Sequence, residues 1–164
     1  MAGVNRIVRE QAKRSLFPSA QALIDSTISF NQGDLLVLDA STHKLRAQTT
    51  GDTGATFAGL AEVTIASGKL ASPYSGTAVD AAQAISSIPG PVVGVVAKLV
   101  LKTSDAINPG DKVYPYVAGG AYHVTSVGTG LTAIGFYQGA AIASASAGQQ
   151  IEVALVCPLA GAGF

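Results

Sequence analysis

The four-residue pattern Asn-x-Gly-Asp occurs twice, at Asn31-Gln32-Gly33-Asp34 and Asn108-Pro109-Gly110-Asp111, with the two Gly-Asp pairs 77 residues apart. Gly accepts a positive φ and Asp can hydrogen-bond its own nearby backbone, so the pair fits a tight turn. Each copy opens the same progression. A strand-like run follows (Leu35-Leu36-Val37-Leu38; Lys112-Val113-Tyr114), then a polar turn and a second run (Leu45 to Gln48; Tyr122 to Thr125). A Gly/Thr-rich break comes next (Gly51 to Gly54; Gly128 to Gly130), and then an apolar run holding one glycine (Ala58-Gly59-Leu60-Ala61; Ile134-Gly135-Phe136-Tyr137). The pattern reads as one β-unit used twice, over about 28–68 and 105–156.

The segment that joins the copies, Val92 to Leu101, is the most apolar in the chain. Its β-branched content favours a central strand buried on both faces, with Gly94 suiting a bulge and Lys98 reaching out to solvent. Before it, residues 66–91 read as loop-rich, with a short strand over Gly76 to Val79 and a single helical turn over Asp80 to Ile85. In the second unit, Val113 falls on one strand face with Tyr114 and Tyr116 on the other. Pro115 cannot donate to a ladder, which predicts an edge strand. Gly119-Gly120 predicts a two-residue hairpin, and Ile151, Val153 and Leu155 alternate with Glu152 in a closing strand. The fold class expected is all-β, a compact antiparallel sandwich or barrel of about ten to twelve short strands built from two related units.

Residues 1–27 differ from this β-domain, which spans 28–157 and is followed by a short tail over 158–164. Arg6, Arg9, Lys13 and Arg14 stand against Glu10 alone, so residues 1–14 carry +3 and the remainder −3 in a chain of net charge 0. A basic arm on an acidic body suggests that the arm reaches a partner or a neighbouring copy of the body. Val4, Ile7, Val8, Ala12 and Leu16 roughly follow helical spacing, but a lone helix this short is marginal in water and Pro18 ends it. The arm is therefore expected to be extended or partly helical, ordering against a partner; a frayed tail without a role is the competing reading. The candidate interface comprises Val4, Arg6, Ile7, Val8, Arg9, Lys13, Arg14, Leu16 and Phe17, with Phe164 of the tail docking onto a neighbour.

Little in the chain points to chemistry. His43 and His123 lie in or beside turns without Cys, Asp or Glu at metal-ligand spacing, so no metal is expected. Ser41-Thr42-His43-Lys44 satisfies Ser-x-x-Lys but reads as a hairpin turn rather than a helix start. Gly128-Thr129-Gly130 lacks the third glycine of a dinucleotide loop, and no other cofactor motif occurs. The acids are scattered singly. Cys157, the lone cysteine, excludes an intramolecular disulfide and reads as a small buried residue at a strand end. Tyr114, Tyr116, Tyr122, Phe136 and Tyr137 can form a stacking platform or pack into core and interface; without Trp and with few nearby cations, packing is the better reading. Charged residues are only 12% of the chain, which suggests either a surface largely covered by partners or an ordinary small-residue β-protein. Four cations without interleaved aromatics are a small footprint for nucleic acid. No apolar run is long enough for a membrane span, and no secretory leader is read at the start.

Taken together, Gln32-Gly33-Asp34-Leu35-Leu36-Val37-Leu38-Asp39, Phe57-Ala58-Gly59-Leu60-Ala61, Ile107-Asn108-Pro109-Gly110-Asp111-Lys112-Val113-Tyr114 and Thr132-Ala133-Ile134-Gly135 with the strand Ile151 to Val156 resemble the capsid cement, or decoration, proteins of tailed bacteriophages. The likeness covers roughly residues 28–156 and rests on turn and strand grammar. It implies a virion protein made in the host cytoplasm that binds the outer surface of an assembled capsid between capsomers. It further implies major capsid protein as partner, a homo-oligomer (commonly a trimer), and neither enzyme activity nor cofactor, with no direct nucleic-acid or membrane contact. The family's Gly-Val-Ala is Gly135-Phe136-Tyr137 here, and the arm is long for its compact members. The alternative is a β-rich tail, baseplate or glycan-binding module.

Overall fold

The computed structural model describes residues 6–15, 24, 26–70, 79–80, 92–118 and 121–156. Among them lie twelve strands: β1 (Arg6–Ser15), β2 (Leu35–Leu38), β3 (Leu45–Ala47), β4 (Phe57–Leu60), β5 (Ile65–Ala66), β6 (Lys69–Leu70), β7 (Val79–Asp80), β8 (Val92–Leu101), β9 (Lys112–Ala118), β10 (Ala121–Thr125), β11 (Gly135–Tyr137) and β12 (Gln150–Leu155). No helix occurs among the described residues, and none there is long and apolar enough to cross a membrane. The expected all-β class is what the chain adopts.

Five strands close a barrel in the order β8-β12-β11-β9-β10 and back to β8. Every neighbouring pair in that ring is antiparallel except β10–β8, which pairs in parallel through His123↔Val100 and Val124↔Leu101. A sheet of β4, β2 and β3 continues from β8 through the pairing Leu60↔Val92. A separate small sheet holds β5, β6 and β7. Read across the main sheet, the order is β3-β2-β4-β8 followed by β12-β11-β9-β10. The second half is the first in reverse, with β8 and β12 as the central pair.

Strand composition follows from these positions. Inside the barrel, β12 buries Ile151, Val153 and Leu155 and turns Gln150, Glu152 and Ala154 outward, the period-2 alternation of a sheet with one buried face. In β8, Val95, Ala97, Leu99 and Leu101 join the main core, while Val96 and Val100 on its other face are also buried and Gly94 and Lys98 are half-buried. A strand covered on both faces has no polar side to alternate, hence the near-continuous apolar run. The same applies to β2. Leu35 packs in the main core with Phe57 and Leu60, and Leu36 in a second core with Ile24, Phe30, Leu45, Ala58, Ala61 and Ile65.

The duplicated turns match atom for atom. In each, the Asp carboxylate accepts the Asn backbone N–H at 2.7 Å (Asn31 to Asp34, Asn108 to Asp111). The Asp N–H donates back to the Asn carbonyl at 3.0 Å in both. Gly33 and Gly110 have φ of 91° and 86°, and each donates its N–H at 2.9 Å to the carbonyl of the apolar run, Ala61 and Tyr137. The residue ahead of each turn forms an isolated antiparallel bridge, Phe30↔Ile65 and Ile107↔Ile142.

Two expectations need correction or narrowing. The arm's helical spacing gives way to a strand: β1 runs antiparallel to β8, because an available sheet edge offers backbone partners that a short isolated helix cannot match. Pro115 is not on an edge strand, since β9 lies between β10 and β11. The β11 ladder reaches only Lys112 and Val113, so one side of β9 is free of strand hydrogen bonding at Pro115, and proline is tolerated there. The hairpin register Ala121↔Ala118 leaves two residues between β9 and β10. Those residues, the predicted helical turn after Asp80, Gly76 to Ala78, Cys157 and the tail 158–164 lie outside the described residues.

Gly110 has open space where a Cβ would stand, which isolates the backbone term. Gly110→Ala is expected to destabilise by about 1–2 kcal/mol through left-handed strain alone, and Gly110→Asn by less. Urea unfolding with an unchanged m-value checks this.

Candidate interaction surfaces

The sequence-predicted interface falls mainly on β1. The register sets Arg6 opposite Lys98, Ile7 opposite Ala97, Arg9 opposite Val96 and Arg14 opposite Val93, with shifts between Ile7 and Arg9 and between Glu10 and Arg14. Val8 and Lys13 fall at those shifts. Val4, Leu16, Phe17 and Phe164 lie outside the described residues. The structure therefore brings the basic residues of 6–15 onto one strand along β8.

Five of the acids, scattered in sequence, turn out to hold turns and strand ends. Asp34 and Asp111 close the duplicated turns. Asp39 Oδ1 accepts the Ser41 and Thr42 N–H groups at 3.0 and 2.9 Å and the Ser41 hydroxyl at 2.6 Å. That arrangement makes Ser41 to Lys44 a carboxylate-capped β2–β3 turn, with His43 exposed at a φ of 56°. Arg46 on β3 ties the turn to the next loop. Its Nε donates to Asp39 at 3.1 Å, and its two terminal nitrogens donate to both oxygens of Asp52 at 2.7 Å. One of them also donates to the Ala47 carbonyl at 3.2 Å, so the side chain lies along the outer edge of this three-residue strand.

These contacts set the local ionisation. Hydrogen bonds from Ser41, Thr42 and Arg46 hold the Asp39 carboxyl well below the usual range. Burial pushes Asp52 up, but hydrogen bonds from Arg46 and Thr49 outweigh it and leave the group lowered. Asp34 goes the other way: burial raises it against the lowering effect of the Asn31 N–H. In the second unit, Asp105 is buried and accepts from the Thr125 hydroxyl at 2.5 Å and the Ser126 N–H at 3.1 Å. Lys102 lies 3.9 Å from Asp105 and 5.1 Å above the Tyr116 ring centroid. Among the described residues, no three of His, Cys, Asp and Glu gather as a metal site.

The aromatics divide rather than align. Tyr137 is buried and donates its hydroxyl to the Ala140 carbonyl at 2.6 Å; burial, then Glu152, raises its pKa. The Tyr114 ring occupies the space a side chain at Gly128 would need. Phe136 faces out from β11 at 39% exposure, joined by Val127 at 57% and Val156 at 37% as the large exposed apolar residues among the described residues.

Sequence reasoning missed Gln48, the residue after β3. It is 2% exposed, and neither side-chain polar atom has a hydrogen-bond partner. Its backbone N–H bonds Leu35 at 2.9 Å, which sets the side chain on the barrel-facing side of the sheet. Nothing in its spacing distinguishes it from an ordinary turn glutamine. No family model, curated protein or solved structure matches the chain.

Two outcomes follow. Gln48→Met is expected to raise stability by about 1–3 kcal/mol, since it removes two buried unsatisfied groups at nearly constant volume; calorimetry measures the rise in Tm. Arg46→Met should cost about 1 kcal/mol at pH 7 through the half-buried bidentate pair with Asp52. Because Asp39 and Asp52 are depressed in the fold, their contribution is full above the unfolded carboxylate range and is lost as pH falls through the folded values. Denaturant titrations from pH 7 to 2 should show the gap between variant and wild type closing in acid.

Proposed function

We propose that this protein is a structural virion component that binds the outer surface of an assembled bacteriophage capsid between capsomers and stabilises it, acting as a homotrimer without catalysis. The observation that carries the reading is the duplicated Gly-Asp unit. The motifs on which the resemblance rests form one hydrogen-bonded turn used twice. Two features support it further. Asp34, Asp39, Asp52, Asp105 and Asp111 all accept hydrogen bonds that shape turns and strand ends, which favours a scaffold over an acid–base site. The basic strand β1 lies at the margin of the sheet, suited to contacts beyond the body. Many weak contacts from a trimer add through effective concentration. The partner is major capsid protein, and neither nucleic acid nor membrane is required.

The test is co-sedimentation of purified protein with assembled capsids. Saturable binding at a fixed copy number per capsomer junction is expected, and no binding overturns the proposal. Replacing Arg6, Arg9, Lys13 and Arg14 by Gln preserves chain length and should weaken binding by about tenfold or more at physiological salt while flattening its salt dependence. Undiminished binding would remove the arm's cations from the interface.

A further inference from the structure

The barrel closes without β1. One edge of β8 carries β12 over Val96–Val100 and β4 at Val92. The opposite edge carries β10 at Val100 and Leu101 and β1 over Val92–Lys98. The ring β8-β12-β11-β9-β10 therefore needs only the last two residues of that second edge. The rest, Val-Val-Gly-Val-Val-Ala-Lys, is left to the arm. Bare, it would be a β-branched edge with unpaired N–H and C=O groups, a template for another strand. The other end of the main sheet is managed differently, by a three-residue strand with Arg46 laid along it.

The ladder that fills the β8 edge is interrupted. Within the described sheets β8 is the only strand partner of β1. Its register is broken twice, and it sets Arg6 against Lys98, two cations in cross-strand positions; like charges opposed this way weaken a pair. The tether is also long. Ser15 is paired with Val92, and the chain rejoins the described body at Ile24 in the second core. The nine intervening steps reach about 30 Å when extended. An arm of +3 and a remainder of −3 attract each other between copies as within one.

We propose that β1 is exchanged between copies: Arg6–Ser15 of one chain fills the Val92–Lys98 edge of a second. Exchange keeps the ladder, fills every acceptor edge when the ring of copies closes, and joins bodies without a large apolar interface. It requires no capsid, so its test is separate from that of the capsid reading.

The pair Arg6 and Lys98 supplies the test, since directly opposed residues lie within reach of a disulfide. In a Cys157→Ser background, chains carrying Arg6→Cys are co-refolded with chains carrying Lys98→Cys and gently oxidised. Single-cysteine chains cannot link within themselves, so exchange yields a covalent heterodimer; its absence overturns the proposal. A double variant, R6C/K98C, should run on non-reducing gels as dimers and larger species, roughly tenfold in excess of closed monomer. A closed monomer as the main product overturns it. Light scattering on the unsubstituted chain guards against misfolded variants: an oligomer is expected, and a monomer at every concentration sinks the idea.

Discussion

The fold depends on β8 being buried on both faces and paired along both edges. Its inward residues Val95, Ala97, Leu99 and Leu101 line the barrel, and Val96 and Val100 are covered on the opposite face. Through it the closed barrel, the β4-β2-β3 sheet and the arm become one structure. A polar residue at most of these positions would have no water and no partner, at a cost comparable with a large share of a domain's net stability. Lys98 is tolerated because it stands cross-strand from Glu152 on the half-buried outer side. The parallel contact with β10 adds a second constraint. Parallel neighbours need a crossover of a dozen residues or more, here the segment between Leu101 and Ala121 that contains the second Asn-x-Gly-Asp turn and β9.

Duplication explains the strand order and shows what is free to diverge. The turn skeleton is identical in both copies, down to hydrogen-bond lengths within 0.1 Å for the turn and bridge bonds. The surroundings are not. Gln48 and Thr125 stand 77 residues apart, at the same point of their units. Thr125 bonds Asp105, whereas Gln48 is buried without a partner. The second unit closes onto β8, and the first ends at β3 under Arg46. Backbone geometry resisted change because a positive-φ glycine and an Asp-capped turn admit few substitutes. Side-chain pairing was re-solved in each half.

What could be read from sequence was what obeys local rules. The Gly-Asp turns, the doubly buried run at β8 and the alternation in β12 each follow from one strand's own residues. The arm's choice between helix and extended chain was left open, and Pro115 was placed on the wrong kind of strand, for a shared reason: both depend on which edge is occupied, a property of topology rather than of the segment. Helical spacing in Arg6–Ser15 is a weak preference, overridden once an edge of seven residues is free beside it. Pro115 demands one unpaired side at one residue, and a short neighbour such as β11 satisfies that within an interior strand. The clamp of Arg46 on Asp39 and Asp52 was hidden because its carboxylates look isolated along the chain. Gln48 left no signal, since burial of a post-strand glutamine is decided by the barrel packed against it.

These differences in dependence set an order of release. Opening β12 or β10 breaks the ring and exposes the main core, so either step approaches global unfolding. Releasing β1 breaks one interrupted ladder and leaves the ring intact, which places it at the low-stability end of the spectrum of local openings. Four of the ten basic residues lie on the element that can leave most cheaply, while Asp34, Asp39, Asp52, Asp105 and Asp111 are fixed in turns and strand ends that cannot. A partner that competes for the arm, or an edge that accepts it, therefore acts on the fold where the least structure is lost. Under the proposed exchange, association of this chain runs through β1 before it involves any other strand.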